Sequence, residues 1–333
     1  MVYTERDTNR VSNFIVRPED PSSKVADNMW KLHLGLGALL LGALAGGLGS
    51  ALVPLYFGRR AKLEGPKDWP VKMPVNIAHR GGKCITPENT IVGFRTGLNA
   101  GADVLELEVH LTADGHLVVI HDDKVDRTTN GSGLIREKTL QEIKLLDAGY
   151  KFPGQGSKTY PYRGQGVVIP TLEEVYQEFP DVATNVEIKE DQPGIEQALW
   201  QVIEEAEAAE RTLVVSGNIS IIRRFREASG GQVATGASIR EIVAFDFLRR
   251  LRLNRLSRLS YQALQVPERF LSILHIVTPG FVQAAHELGV RVDVWTINTE
   301  PDMRRVLASG VDGIMTDRPD ILTQLLCSKR HAK

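Results

Sequence analysis

Residues 34–57 run 24 positions without a charge, and carry nine leucines and six glycines. At 1.5 Å of rise per residue, about 20 apolar residues cross a hydrocarbon core, so this stretch predicts a single membrane-spanning helix over 32–58. Trp30 and Tyr56 stand near its ends, where aromatic rings favour the lipid–water interface. A buried core helix is seldom so long and so evenly apolar. A cleaved signal peptide would not carry about 30 residues ahead of its apolar core. Residues 1–31 mix Arg, Asp, Ser and Pro and read as a flexible tail, while residues 59–73, with Pro66 and Pro70, read as a linker. Arg17, Lys24 and Lys31 precede the span, and Arg59, Arg60, Lys62, Lys67 and Lys72 follow it. That asymmetry leans the C-terminal domain toward the cytoplasmic side of the membrane.

Past residue 74 the pattern changes. Short β-branched runs alternate with helical segments as far as residue 328, which is the α/β signature. Candidate strands fall at 75–79, 104–111, 117–121, 185–189, 213–216, 233–236, 263–266, 291–297 and 311–316. The turn Thr112-Ala113-Asp114-Gly115 is too short for a parallel crossover, so it joins a hairpin and leaves eight strands for a barrel. The expected architecture is a TIM (β/α)8 barrel over 74–328 preceded by a single N-terminal transmembrane helix. Thr139 with Glu142, and Thr171 with Glu174, have capping-box spacing. Asn89 or Thr90 starts one helix, and Thr299, with Pro301 in the first turn, starts another. A formal net charge of −1 gives no overall drive toward nucleic acid. The two cysteines, Cys84 and Cys327, cannot build a disulfide framework, and Cys84 reads as a small filler.

Polar residues then cluster where such a barrel puts its chemistry, at the C-terminal ends of the strands. His79-Arg80-Gly81-Gly82 ends the first strand, and His121-Asp122 ends the third segment. Glu106 and Glu108, like Glu187 and Lys189, lie two apart, so each pair shares one face. Carboxylates gathered on a barrel-facing side are costly to bury unless a cation or hydrogen bonds neutralise them. Glu106, Glu108 and Glu187, with no thiolate among them, suit one hard divalent cation, Mg²⁺ or Ca²⁺. Such a metal can polarise a phosphoryl oxygen while Arg80 and Lys189 share its charge. His79 and His121 can act as general base and general acid. These groups suit a phosphodiester.

Seven segments carry a family resemblance in order and spacing. They are Ile77-Ala78-His79-Arg80-Gly81-Gly82, Pro87-Glu88-Asn89-Thr90, Leu105-Glu106-Leu107-Glu108-Val109, Val119-Ile120-His121-Asp122, Asn185-Val186-Glu187-Ile188-Lys189, Val294-Trp295-Thr296-Ile297-Asn298 and Asp312-Gly313-Ile314-Met315-Thr316-Asp317. Together they resemble the glycerophosphodiester phosphodiesterase signatures. The resemblance implies a divalent ion on Glu106, Glu108 and Glu187, with His79 and His121 as the acid/base pair. Arg80 and Lys189 would bind phosphate. Glu88, Asn89 and Asp122 would support these groups or line the pocket, and Trp295 would line its glycerol end. Glu108 departs from the family's usual Asp, and its longer reach puts direct ligation in question. Attack by a glycerol hydroxyl through a cyclic phosphate and attack by water both remain open.

An N-terminal span beside such a barrel is similar to the membrane-bound, lysophospholipase D-type branch of the family. A linker of about 16 residues reaches at most roughly 55 Å, which keeps the active-site face close to the bilayer. Glycerophosphodiesters are then the expected small-molecule substrates, and lysophospholipids the membrane substrates. Residues 245–259 interleave Phe245, Phe247, Leu248 and Leu251 with Arg249, Arg250 and Arg252. They read either as an outer barrel helix or as a basic element resting on anionic lipid. A binding protein without turnover, and a phosphatidylinositol-specific phospholipase, are the alternative readings. Nothing in the chain bears on homo-oligomer formation.

Overall fold

Period-two alternation on one long strand explains how this chain can carry charge inside a barrel. In β2 (Val104–Leu111) every residue is buried. Leu105, Leu107, Val109 and Leu111 join the apolar layer under the helices, which leaves Glu106, Glu108 and His110 on the opposite, barrel-facing side. Each such leucine contributes roughly 1.5–3 kcal/mol by leaving water, enough to carry a few costly polar neighbours. The computed structural model describes residues 73–154, 159–254, 259–270 and 274–331. The tail and membrane span expected at 1–58, and the linker up to residue 72, lie outside these residues. No helix among the described residues is long and apolar enough to cross a membrane.

The strands follow the expected order. They are β1 (Val75–Ala78), β2, β3 (Leu117–Val119), β4 (Ala183–Ile188), β5 (Thr212–Val215), β6 (Ala234–Thr235), β7 (Ala263–Pro267), β8 (Arg269–Phe270), β9 (Leu274–His275), β10 (Arg291–Trp295) and β11 (Gly313–Thr316). Eight of them form a parallel wall in the order β6-β5-β4-β2-β1-β11-β10-β7. A parallel bridge from Gly236 to Ala263 links its two ends, giving a nearly closed TIM-like barrel. β3 is the hairpin strand, antiparallel to β2, with Val109 opposite Val119. β4 begins two residues earlier than the apolar run suggests, because Ala183 and Thr184 already pair with Val104 and Leu105. The hairpin β8–β9 has no counterpart in the sequence reading.

Helices cover the outer face: α1 (Ile91–Asn99), α2 (Leu140–Lys144), α3 (Leu172–Glu178), α4 (Ile195–Glu205), α5 (Ile219–Ala228), α6 (Ile239–Arg250), α7 (Pro279–His286), α8 (Glu300–Ala308) and α9 (Pro319–His331). Thr90, rather than Asn89, caps α1 by accepting from Gly93 N. Both expected capping boxes form, and a third forms at Ser238 and Glu241. Inside the wall, Val75, Ile77, Val104, Ala183 and Met315 make an apolar plug.

As far as Arg250 the arginine-rich segment is an outer helix. Ile242 and Phe245 of α6 are buried, and Phe245 meets Phe281 edge to face at 5.2 Å. Arg249 and Arg250 both pair with Asp246, which takes up much of the basic character. Aromatic rings also pack on one another among the described residues of the loop between α2 and α3. Phe152 and Tyr162 meet at 5.5 Å, and Arg163 stacks 4.0 Å from the rings of both Tyr150 and Tyr160.

Where the wall closes, Arg226 of α5 supports the seam. It donates to Thr235 Oγ1 at 2.9 Å, Glu241 Oε1 at 2.8 Å, Ser260 Oγ at 3.0 Å and the Gly236 carbonyl at 3.0 Å. Arg226→Ala would strand the mostly buried Glu241 carboxylate. The expected loss is about 3 kcal/mol, the low end for breaking a buried pair, read by urea unfolding. A change under about 0.5 kcal/mol, the range of ordinary surface substitutions, would show that the seam does not depend on this arginine.

Candidate active site

The turn after β1 is built from left-handed residues, and this aims its backbone inward. Arg80, Gly81 and Gly82 have φ of 53°, 81° and 95°. Arg80 accepts that strained conformation because its N–H donates to Glu106 Oε2 at 2.8 Å. A Cβ on Gly81 would lie 2.8 Å from the carbonyl carbon of Gly93. Gly81→Ala is therefore expected to cost about 1–3 kcal/mol, read as a lowered thermal midpoint. An unchanged midpoint would mean that the turn is free to relax.

Around this turn the charges alternate. Arg80 Nε lies 3.0 Å from Glu108 Oε1, and Asn89 donates to Glu108 Oε2 at 2.7 Å. Lys189 Nζ is 2.9 Å from Glu187 and 3.8 Å from Glu108. Burial raises the Glu108 carboxyl, yet Arg80, Lys189 and the two histidines hold it well below the usual carboxylate range. Burial and the neighbouring Glu108 push Glu106 well up instead. The two carboxyls are pushed in opposite directions because the cations lie closer to Glu108, while Glu106 feels its neighbour's charge.

Each histidine is backed by a carboxylate. His79 Nδ1 is 2.5 Å from Asp317 Oδ1, and Asp317 Oδ2 accepts from Asn298 at 2.8 Å. Burial lowers the His79 imidazolium against the pull of Asp317, which favours the neutral ring. His121 Nδ1 is 2.5 Å from Asp122 Oδ1, and its Nε2 lies 3.9 Å from Glu108 Oε1. The β2–β3 hairpin produces this approach, since Ile120 N donates to the Glu108 carbonyl at 2.9 Å. Behind it, His110 Nε2 lies 3.1 Å from the carbonyl of His121.

The donor set fits a hard cation. Ligand atoms of His79, Glu106 and Glu108 lie within 4.8 Å of one another. Glu108 Oε1 is buried and accepts no hydrogen bond among the described residues. Glu187 stands outside that cluster, tied to Lys189, so the structure brings together two of the three expected carboxylate ligands with His79 beside them. Glu88 is held between Arg80 and Arg127. Trp295, 42% exposed, lines a shallow cleft of about 550 Å³ with Pro267, Glu268 and Arg305. Cys84 is exposed rather than packed as a filler.

Residues 79–321 match the glycerophosphoryl diester phosphodiesterase family. The chain belongs to that family. It is 38% identical over 255 residues to a glycerophosphodiester phosphodiesterase of Caldanaerobacter subterraneus subsp. tengcongensis, covering 75% of this chain and 96% of that one. A second glycerophosphodiester phosphodiesterase, from Bacillus altitudinis, is 32% identical over 73% of this chain and 94% of its own. Among solved structures, an Oleispira antarctica phosphodiesterase in complex with the product sn-glycerol-3-phosphate matches with a TM-score of 0.61 at 27% identity. That match covers 76% of this chain and 97% of the other. The corresponding domain of Rv2277c from Mycobacterium tuberculosis shares the fold, with a TM-score of 0.67 at 23% identity over 76% of this chain and 99% of its own. The protein is thus a glycerophosphodiester phosphodiesterase, a phosphoric diester hydrolase.

Three residues at this site escape a reading of the sequence by motif roles. Asp317 and Asn298 lie inside quoted segments, but their link to His79 depends on β10, β11 and β1 being neighbours in the wall. Arg127 lies outside the regular elements and carries no periodic signal.

Proposed function

We propose that the enzyme hydrolyses glycerophosphodiesters to glycerol 3-phosphate and an alcohol, and that lysophospholipids are its membrane substrates. From a lysophospholipid the products are lysophosphatidic acid and the headgroup alcohol. The observation that carries the chemistry is a pair of carboxylate-backed histidines beside a buried Glu106–Glu108–Arg80 cluster with Lys189 at its edge. His79 and His121 exchange protons with the attacking and leaving oxygens. Arg80 and Lys189 take the phosphoryl charge. Glu106 and Glu108, with Glu187 able to complete the set, would hold Mg²⁺ or Ca²⁺. That ion supplies Lewis-acid polarisation of a phosphoryl oxygen. Asn89 and Glu88 hold Glu108 and Arg80 in place, Asp122 orients His121, and Trp295 lines the glycerol end. The product-bound Oleispira relative supports a glycerol phosphate ligand.

The apolar run over 32–58 supports a single-pass membrane anchor, and the greater number of Lys and Arg residues after the run than before it supports a barrel on the cytoplasmic side. The deciding measurement is choline and ethanolamine release by the full-length, detergent-solubilised protein with Mg²⁺, Ca²⁺ or EDTA. Metal-dependent release from lysophosphatidylcholine or its ethanolamine counterpart supports the lipid reading. Release from glycerophosphocholine or glycerophosphoethanolamine alone would sink it and leave the span as a tether. A cyclic inositol phosphate formed from phosphatidylinositol would favour the phospholipase reading instead.

A further inference from the structure

We propose that Arg127 is a positioning residue that holds His121 and Arg80 in register, a role that rests on reading His121 as acid or base. Its Nε donates to Asp122 Oδ2 at 2.6 Å and its Nη2 to Asp122 Oδ1 at 3.2 Å. Along the other edge, Nη1 donates to Glu88 Oε2 at 2.8 Å and Nη2 to Glu88 Oε1 at 2.7 Å. Both edges of the planar fork are therefore spent on protein carboxylates, which leaves a single N–H for any other partner. That geometry suits a clamp better than a phosphate ligand.

Each clamped carboxylate faces a residue of the site. Asp122 accepts from His121 Nδ1, and Glu88 accepts from Arg80 Nη1 at 3.1 Å. The chain His121–Asp122–Arg127–Glu88–Arg80 thus joins the loop after β3 to the loop between β1 and α1. Burial would raise both carboxyls, and Arg127 is a main cause of their being held down. Without the guanidinium, Asp122 and Glu88 lose their shared counter-charge and the geometry that fixes their other oxygens. A lysine keeps the charge but cannot span two carboxylates with two-point contacts. Arg127 is itself 44% exposed on its side chain, so its replacement leaves the apolar core intact and the vacated space open to a small solute.

The experiment uses the full-length protein in detergent with Mg²⁺ and glycerophosphocholine, and compares Arg127→Ala, Arg127→Lys and His121→Ala, each with and without tens of millimolar guanidinium chloride. Arg127→Ala is expected to lower kcat about 10²-fold, the scale of an ångström of misplacement, while KM changes little. Added guanidinium restores a large part of that loss in Arg127→Ala and none in His121→Ala, and Arg127→Lys falls between parent and Ala. Parent-like kcat in Arg127→Ala, a loss confined to KM, or no rescue in a variant with the parent's melting curve would each overturn the proposal. Parent-like activity in His121→Ala would instead overturn the reading beneath it. Should Arg127→Ala fail to fold, the kcat-against-KM split in Arg127→Lys decides.

Discussion

His79→Ala is expected to lower kcat on glycerophosphocholine by about 10²–10⁴-fold, the usual contribution of a positioned proton-transfer group. The ring is nearly enclosed, at 8% exposure, and burial favours its neutral form. With Nδ1 against Asp317, only Nε2 remains to exchange a proton with a substrate oxygen. Folding should survive the change, because Asp317 keeps Asn298 at 2.8 Å and Lys83 at 3.7 Å as partners. The informative comparison is kcat against the thermal midpoint. A drop in kcat with an unchanged midpoint assigns the loss to chemistry, whereas activity within tenfold of the parent would remove His79 from proton transfer.

Glu108→Ala is expected to abolish turnover and to cost about 3–5 kcal/mol of stability, the scale for stranding a buried charge. Glu108 is fully buried and is the carboxylate that both Arg80 and Lys189 face. Removing it takes the nearest carboxylate from the buried Arg80, leaves Arg80 to Glu88 and Lys189 to Glu187, and frees Asn89 from its acceptor. Urea unfolding reads the stability, and calorimetric titration with Mg²⁺ or Ca²⁺ reads the metal site. Parent-like cation affinity in a folded Glu108→Ala variant would show that Glu108 serves only as a counter-charge. Glu108→Asp separates the two roles, since it keeps the charge and shortens the reach by one methylene.

Much of the barrel was legible because its wall is built from strands whose two faces differ in polarity. Leu105-Glu106-Leu107-Glu108-Val109 announces both a helix-covered face and a charged interior, and that is how β2 is used. The turn Thr112–Gly115 correctly made 117–121 a hairpin arm rather than a ninth wall strand. Sequence position hid contacts made across the wall. His79 and Asp317 are 238 residues apart and meet because β1 pairs with β11. Arg127 was hidden for a different reason: a loop arginine has no periodicity to mark which carboxylates it will reach. Glu187 was placed with the metal ligands by type, spacing and family resemblance; what the spacing does not show is how close Lys189, two residues on, would lie to it. The β8–β9 hairpin, two residues per strand, is too short for an alternating pattern to show.

The closure between β6 and β7 has a bearing on endurance. β6 contributes two residues, and a single bridge carries the wall across to Ala263, whereas neighbouring strands elsewhere in the wall share from two to six paired positions. Cooperative opening begins where the fewest bonds must break, so breathing of this cylinder starts at that join. Counted around the circle, the join lies four strands from the β2–β1 contact in either direction. The staves that carry His79, Glu106 and Glu108 are thus the ones farthest from the weak point, and the barrel can loosen on its far side while its catalytic groups stay aligned.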